Sequence, residues 1–160
     1  MRIGLLAVGR LKAGPERELV LRYTERFDAL ARRIGLQPLD VREIDESRAR
    51  RPEDRRTEEA KALTALLPHG SRALVLDERG RSMSSAAFAQ TVADARDTGN
   101  EALTLVIGGP DGIDEILRDR ATLVVALGAT TWPHQLVRVL LAEQLYRAAT
   151  ILSGHPYHRV

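Results

Sequence analysis

The sequence contains no cysteine, which excludes disulfides, thiolate nucleophiles and zinc sites built on cysteine. It also contains no apolar run approaching the roughly 20 residues that a membrane-spanning helix needs. Its first eight residues are too short and wrongly flanked for a secretory signal peptide, and they are typical of a buried first strand. We therefore expect a cytoplasmic protein without a membrane segment.

Excess charge of one sign is also lacking. The 24 lysines and arginines are nearly balanced by 22 acidic residues, and the formal net charge is only +2. Lys12 and Lys61 are the only lysines, so almost all positive charge is carried by arginine, whose planar guanidinium pairs well with phosphate. A GC-rich genome would produce the same bias. Composition therefore suggests an RNA partner without showing one.

The remaining composition is that of one folded domain. The 160 residues are enough to bury a core, and 44% of them are hydrophobic. Short apolar runs alternate with segments of helical period, without an internal repeat or a dividing linker. This pattern predicts a single α/β domain over residues 1–160, with a mainly parallel sheet and helices on both of its faces. The predicted strands are Arg2–Val8, Pro38–Ile44, Arg72–Asp77, Ala102–Ile107 and Leu123–Leu127.

The connection after the second predicted strand is unusually charged. Residues 45–56 contain five arginines and four acidic residues but almost nothing apolar. Such a segment is typical of a mobile connection or of the start of a solvated helix. Its arginines could contact RNA phosphate, but the acidic neighbours dilute their charge, so a solvated surface is the simpler interpretation.

The sequence lacks the glycine fingerprint that an ordinary dinucleotide-binding fold places after its first strand. Its glycine loop follows the fourth strand, where Gly108 and Gly109 precede the turn sequence of residues 110–112. Residues 127–133, after the fifth strand, are mostly small and leave backbone groups open to a ligand such as adenine. Although the glycine loop alone would suit a plain turn, the two segments together predict a ligand site in the C-terminal half.

The last predicted helix, His134–Leu152, is apolar over most of its circumference. A helix that is apolar on most sides is buried on most sides. In a chain of this length we expect the second cover to be another subunit, in a symmetric homodimer. Glu143 and Arg147 form a favourable i,i+4 pair on the narrow polar side, where Arg138 also lies, close to the predicted ligand site.

The C-terminal tail is rich in functional side chains, because its last six residues include His155, Tyr157, His158 and Arg159. Two histidines without acidic or cysteine companions make a weak metal site, so we predict no metal. Stacking and phosphate pairing suit these residue types better, and the tail is therefore predicted to contact RNA.

Four segments together resemble the ribosomal RNA large subunit methyltransferase H family of the SPOUT superfamily. They are AVGRLK at residues 7–12, IGGPDG at 107–112, PHQLVRVLLAEQLYRA at 133–148 and HPYHR at 155–159. The resemblance covers the whole chain in the family's order, and the last two segments are its most specific part. It implies a SPOUT-type α/β-knot, with a C-terminal trefoil knot that no sequence pattern would predict.

The resemblance also implies that the cofactor is S-adenosylmethionine, bound in a bent shape inside the knot. The chain departs from the family at residues 128–130, where the family commonly has serine, a basic residue and methionine. Binding is preserved if the cofactor contacts there are mainly with the backbone, whereas the family's side-chain contacts at these positions are not expected in this chain. The positions that match the family's cofactor site are Leu76, Gly108, Gly109, Leu127, Gly128, Ala129, Thr130, Thr131 and Trp132.

The implied substrate is a pseudouridine of 23S ribosomal RNA, in the stem-loop that faces the decoding centre, methylated at N3. The N3 proton must be lost, and the predicted catalytic residues are His155, His158 and Arg138, with a histidine as the candidate proton acceptor. Tyr157 and Arg159 are predicted to bind RNA. Because a small and barely basic monomer binds naked RNA poorly, we expect a homodimer that acts on assembled ribosomes.

Two other functions stay open from the sequence. A SPOUT methyltransferase that acts on another ribosomal RNA base, or on transfer RNA, would have the same cofactor site. A non-enzymatic ribosome-binding factor could have kept the fold and lost the cofactor, but the intact Gly108 and Gly109 and the rich tail argue against it. A Rossmann-like oxidoreductase is disfavoured by the missing early glycine fingerprint.

Overall fold

The computed structural model describes residues 1–158, in which strands and α-helices alternate along the chain. The strands are β1 (Arg2–Val8), β2 (Leu39–Ile44), β3 (Arg72–Ser82), β4 (Ala102–Ile107) and β5 (Leu123–Ala126). The helices are α1 (Pro15–Ala31), α2 (Pro52–Leu66), α3 (Ser85–Asp97), α4 (Glu115–Arg120) and α5 (His134–Ser153). A short 3-10 turn, Arg32–Ile34, follows α1.

The strands form one sheet in the order β2-β1-β4-β3-β5, and every neighbouring pair is parallel. All residues of the central strand β4 are buried, as expected for a parallel sheet covered on both faces. The predicted parallel α/β fold is confirmed. The trefoil knot is not decided by the order of the strands, and it stays a prediction.

Helices cover both faces of this sheet and form separate apolar layers. On one face Phe27 of α1, Phe88 of α3 and Leu145 of α5 are buried in the same cluster. On the other face α2 contributes Leu63 and α4 contributes Leu117. Because both layers are close-packed, the strand ends are held as a firm platform for the connections that leave them.

The strand boundaries follow the predictions closely, with one exception. β1 and β4 begin and end at the predicted residues, whereas β3 continues past its predicted end at Asp77 to Ser82. The extension pairs Arg81 with Val125 of β5 after a shift in register. Gly80 lies so close to β5 that a Cβ there would come within 2.6 Å of the Val125 backbone. The extension thus depends on a tertiary contact that the local sequence does not contain.

The apolar helix α5 is covered largely within the chain. α1 and α3 pack against it, and Leu141, Leu145 and Tyr146 are buried. Leu136 on α5 stays 37% exposed, and Leu21 on the neighbouring α1 stays 52% exposed. Packing within one subunit therefore accounts for much of the wide apolar arc, and the homodimer stays a prediction.

Candidate functional site

A cavity of about 900 Å³ opens where β4 and β5 end, beside the register shift of β3, and where α5 begins. In a parallel sheet the carboxyl ends of the strands lie at one edge, which brings together connections that are distant in sequence. Ala129 does not contribute to the cavity wall. The other predicted cofactor-binding residues all line it, namely Leu76, Gly108, Gly109, Leu127, Gly128, Thr130, Thr131 and Trp132. Their binding of a cofactor stays a prediction.

The glycine loop after β4 is packed too tightly for side chains. A Cβ at Gly108 would lie 2.6 Å from Ile113 Cδ1 and 2.9 Å from the Gly112 carbonyl oxygen. The Gly112 N–H donates to the Gly109 carbonyl at 3.0 Å and closes the turn. The loop therefore presents bare backbone to the cavity.

The connection from β5 to α5 is closed by its own tryptophan. The indole N–H of Trp132 donates to the Leu127 carbonyl at 3.0 Å, which ties the two ends of the loop together. Gly128 has φ +94, in the left-handed region that favours glycine. Trp132 is still 43% exposed while it lines the cavity, so its ring is available to a ligand.

More acidic than basic side chains line the cavity. Arg118 lies 3.6 Å from Asp77, which is the one ion pair joining two of these lining residues within 1–158. The surplus of carboxylates favours a ligand that carries positive charge. The acidic residues are Asp77, Glu78, Asp111, Asp114 and Glu115, and the arginines are Arg56, Arg79 and Arg118.

The start of α2 is attached to the glycine loop by an ion pair. Arg55 donates to both carboxylate oxygens of Asp111, at 2.6 and 2.9 Å, and this hydrogen bonding lowers the pKa of Asp111. The charged segment thus divides: residues 45–51 are irregular, and α2 starts at Pro52. Arg55 is therefore a half-buried support of the cavity residue Asp111 rather than part of a solvated surface.

Sequence reasoning missed His134, which lines the cavity at the first residue of α5. Its Nε2 lies 3.9 Å from Glu46 Oε1, and burial, followed by the charge of Arg138, lowers the pKa of the imidazole. The available signal was its position directly after the small-residue connection, at the start of the most specific family segment.

Arg138, a predicted catalytic residue, lies beneath the cavity rather than in its wall. It is 1% exposed, and its guanidinium donates to Glu43 Oε1 at 2.6 Å and to the Val8 carbonyl at 2.5 Å. Glu43 also accepts a hydrogen bond from the Leu11 N–H at 3.1 Å. Arg138 therefore joins α5 to the ends of β1 and β2, and its catalytic role stays a prediction.

The described tail residues do not line the cavity of their own chain. The cavity lies at the first residue of α5, His134, whereas the tail follows the last residue of the same helix. The 20 residues of α5 correspond to a length of about 30 Å. The tail is fixed instead to the middle of α5, where the Tyr157 hydroxyl donates to Glu143 Oε1 at 3.0 Å. Burial and this carboxylate raise the pKa of Tyr157 to about 12.

Tyr157 also packs on Tyr146, with ring centroids 4.6 Å apart, and lies under the Arg147 guanidinium at 5.0 Å. The predicted pair of Glu143 and Arg147 is confirmed, with Nε and Oε1 3.0 Å apart. His155 is exposed and His158 half-buried. Arg159, predicted to bind RNA, lies outside the described residues.

Two kinds of feature are absent from residues 1–158. No helix in this range has the length and apolar character to cross a membrane. The same residues contain no cluster of three or more histidine, aspartate or glutamate side chains that could hold a metal ion.

Comparison with known proteins gives consistent matches along the whole chain. A family model described as a predicted SPOUT methyltransferase matches residues 1–158. A ribosomal RNA large subunit methyltransferase H from Rhizobium etli is 56% identical over 160 residues, covering 100% of both chains. A protein of the same name from Bradyrhizobium sp. (strain BTAi1) is 58% identical over 159 residues, covering 99% of each chain.

Among solved structures, the SpoU methyltransferase AviRb from Streptomyces viridochromogenes, in complex with AdoMet, aligns with a TM-score of 0.40 and 13% identity. The alignment covers 90% of this chain and 56% of that one. A TM-score of this size does not establish a common fold, so the assignment to a family rests on the sequence matches.

Proposed function

Because this chain belongs to the SPOUT methyltransferase family, we propose that it methylates the ribosomal RNA of the large subunit with S-adenosylmethionine as cofactor. Relatives that bear the name of this activity have the same length and are 56–58% identical over essentially the whole chain. The structural observation that carries the proposal is the cavity formed by the ends of β4 and β5 and the middle of β3.

The cavity has the properties that S-adenosylmethionine requires. Its volume of about 900 Å³ is within the usual range for small-molecule sites. The bare backbone at Gly108, Gly109 and Gly128 can approach an adenosine closely. The surplus of carboxylates suits a ligand with a sulfonium and an ammonium group. We infer that residues 108–109 and 127–132 hold the cofactor.

Bound in this cavity, the cofactor supplies an electrophilic methyl group. Methyl transfer is an in-line displacement, so accurate alignment of the two reactants provides much of the acceleration. We infer that the packed glycine loop and the connection closed by Trp132 provide this alignment. The trefoil knot implied by the family would hold these segments against each other.

The finer proposal is that the acceptor is N3 of a pseudouridine in 23S ribosomal RNA. Its N–H proton must pass to a base as the new N–CH₃ bond forms. We propose His155 and His158 as candidate proton acceptors. Arg138, the third residue predicted to be catalytic, is proposed to act from beneath the cavity by holding the start of α5 against the ends of β1 and β2. Tyr157 and Arg159 are proposed to hold the RNA.

These roles require a second copy of the chain, because the described tail does not line the cavity of its own subunit. We propose a symmetric homodimer in which one subunit holds the cofactor and the other presents its tail. The apolar side chains left exposed on α1 and α5, Leu21 and Leu136, support such an interface. Each subunit would be a single domain over residues 1–160, working in the cytoplasm on assembled ribosomes.

The decisive experiment is a methyl-transfer assay with radiolabelled S-adenosylmethionine, in which isolated 50S subunits, 70S ribosomes, protein-free 23S RNA and transfer RNA are compared. We expect transfer to ribosomal particles, and the modified nucleotide should map to a pseudouridine of the 23S stem-loop that faces the decoding centre. Transfer to transfer RNA or to another base would favour a different SPOUT activity. Ribosome binding without cofactor binding in calorimetry would favour a non-enzymatic factor.

A further inference from the structure

Glu59 is a buried acidic residue that the methyl-transfer chemistry leaves without a role. It lies on α2 and is 5% exposed, whereas the preceding residue, Glu58, is exposed. Burial of a carboxyl group is costly unless its oxygens are paired. Its location therefore calls for a physical reason.

Only one oxygen of Glu59 is paired among the described residues. Oε1 accepts a hydrogen bond from the Ser47 N–H at 2.9 Å, which anchors the irregular segment 45–51 to α2. Oε2 is buried and has no hydrogen-bond partner within residues 1–158. The carboxyl group thus has one fixed end and one free end.

The free end lies directly against the glycine loop. A Cβ at Gly109 would come within 2.8 Å of Glu59 Oε2 and 3.1 Å of Val8 Cγ1. The Gly109 backbone is therefore supported from one side by the Glu59 carboxyl and the end of β1, while Gly109 also lines the cavity. Glu59 therefore lies against a residue of the cavity wall.

The charges that face Glu59 come from three segments. Asp111 of the glycine loop and Glu46 of segment 45–51 disfavour its ionised form, and Arg55 of α2 favours it. Burial is the largest effect, and together these influences raise the pKa of Glu59. A neutral carboxyl group, which can rest against backbone without an unpaired charge, is thereby favoured over a wider pH range than for an exposed glutamate.

We propose that Glu59 is a positioning residue. Its carboxyl group is held between Ser47 and Gly109 and fixes the position of the glycine loop in the cavity wall, where the methyl donor binds. It acts through the Gly109 backbone and does not touch the reacting atoms. This inference rests on the proposed binding of S-adenosylmethionine in the cavity.

The test is calorimetric titration of the full-length protein with S-adenosylmethionine. We expect Glu59→Ala to weaken binding about 10-fold, and the neutral, equally long Glu59→Gln to stay within about 3-fold of wild type. Glu58→Ala is the matched control, because Glu58 accepts a hydrogen bond from the Ser47 hydroxyl but is exposed. It should leave the affinity unchanged. In methylation assays the loss in Glu59→Ala should appear in KM for the cofactor rather than in kcat.

A double-mutant cycle separates positioning from general destabilisation. Gly109→Ala should weaken binding in the wild type, because its methyl group meets the Glu59 carboxyl, and should weaken it less in a Glu59→Ala background. If Glu59→Ala does not fold, Glu59→Asp replaces it, since its shorter side chain cannot reach Ser47 and Gly109 together. Circular dichroism establishes folding for each variant.

Wild-type affinity in Glu59→Ala, an equal loss in Glu59→Gln, or strictly additive effects with Gly109→Ala would each overturn the positioning role. The proposed function would survive any of these results. Failure of the wild-type protein to bind S-adenosylmethionine would instead overturn the proposed function, and the positioning role with it.

Discussion

Arg138 combines the burial of a core residue with a permanent charge. Its side chain is 1% exposed, and its two bonded partners lie at the ends of β1 and β2. Loss of one partner from a buried ion pair leaves the other charge uncompensated. The contribution of Arg138 to the free energy of unfolding therefore has to be measured before a loss of activity in an Arg138 variant is attributed to catalysis.

We expect Arg138→Met to lower the free energy of unfolding by about 3 kcal/mol, because Glu43 and the Val8 carbonyl lose their donor. Urea unfolding followed by circular dichroism measures the change. Arg42→Met is the control, since Arg42 pairs with Asp40 in a solvent-exposed bridge, and it should cost less than about 0.5 kcal/mol. Equal effects of the two substitutions would contradict the role of Arg138 as a buried brace.

Glu59 predicts a specific dependence of stability on pH. The pKa of Glu59 is raised in the folded protein. Its contribution to the free energy of unfolding is therefore complete at a pH below the pKa of an ordinary glutamate, and it is lost as the pH rises through the pKa of the folded state. Glu59→Gln cannot ionise and does not suffer this loss. The unfolding free energy of Glu59→Gln relative to wild type should therefore increase from about pH 4 upwards. Parallel profiles in urea titrations over this range would disprove the shift.

At the scale of elements, α2 and the glycine loop form one unit. Arg55 pairs with Asp111, and the Thr57 hydroxyl donates to Asp114 Oδ2 at 3.0 Å, so two side chains of the first turns of α2 reach the residues around the cavity. Both acidic residues line the cavity. A change in the position of α2 should therefore alter the binding of a ligand in the cavity.

We expect Arg55→Ala to raise the KM for S-adenosylmethionine about 5-fold, because the loop loses a two-pronged, partly buried ion pair. Steady-state methylation kinetics measure this change. Arg51→Ala is the control, because Arg51 pairs with Asp54 on the surface and has no contact with the loop. An unchanged KM in Arg55→Ala would show that the loop keeps its position without α2.

The elements also show how far the sequence predicts this structure. β1 and β4 were located to the residue because their mainly apolar runs each end at a glycine, Gly9 and Gly108. The end of β3 was missed because residues 78–82 are polar and become a strand only through contact with β5. A local pattern cannot contain that contact.

The candidate site divides in the same way. The glycine loop and the small-residue connection were identified from the sequence, since glycine and other small residues directly indicate where the backbone is exposed. Glu59 and His134 were not, because only the packed sheet brings Glu59 under Gly109 and His134 beside Glu46. The covering of α5 by α1 was missed for the same reason.

At the scale of the whole molecule, a shared site in the proposed homodimer predicts complementation. Gly108→Trp should disrupt the glycine loop, where even a Cβ would meet Ile113 and the Gly112 carbonyl, and so prevent cofactor binding. A chain lacking residues 155–160 should lose its RNA contact. Each variant alone should be inactive. A mixture refolded together should recover activity, because half of the heterodimer's sites combine an intact cavity with an intact tail. A mixture that stays inactive, while its heterodimers form, would refute the shared site.

Trp132 makes ligand binding in the cavity measurable by intrinsic fluorescence. It is the only tryptophan of the chain, it is 43% exposed, and it lines the cavity. Intrinsic fluorescence excited at the indole band therefore reports from this one place, without a label. Addition of S-adenosylmethionine should shift or quench the emission in a saturable way, and the midpoint should agree with the calorimetric affinity. A signal that stays flat under saturating cofactor would mean that the ligand does not reach this wall.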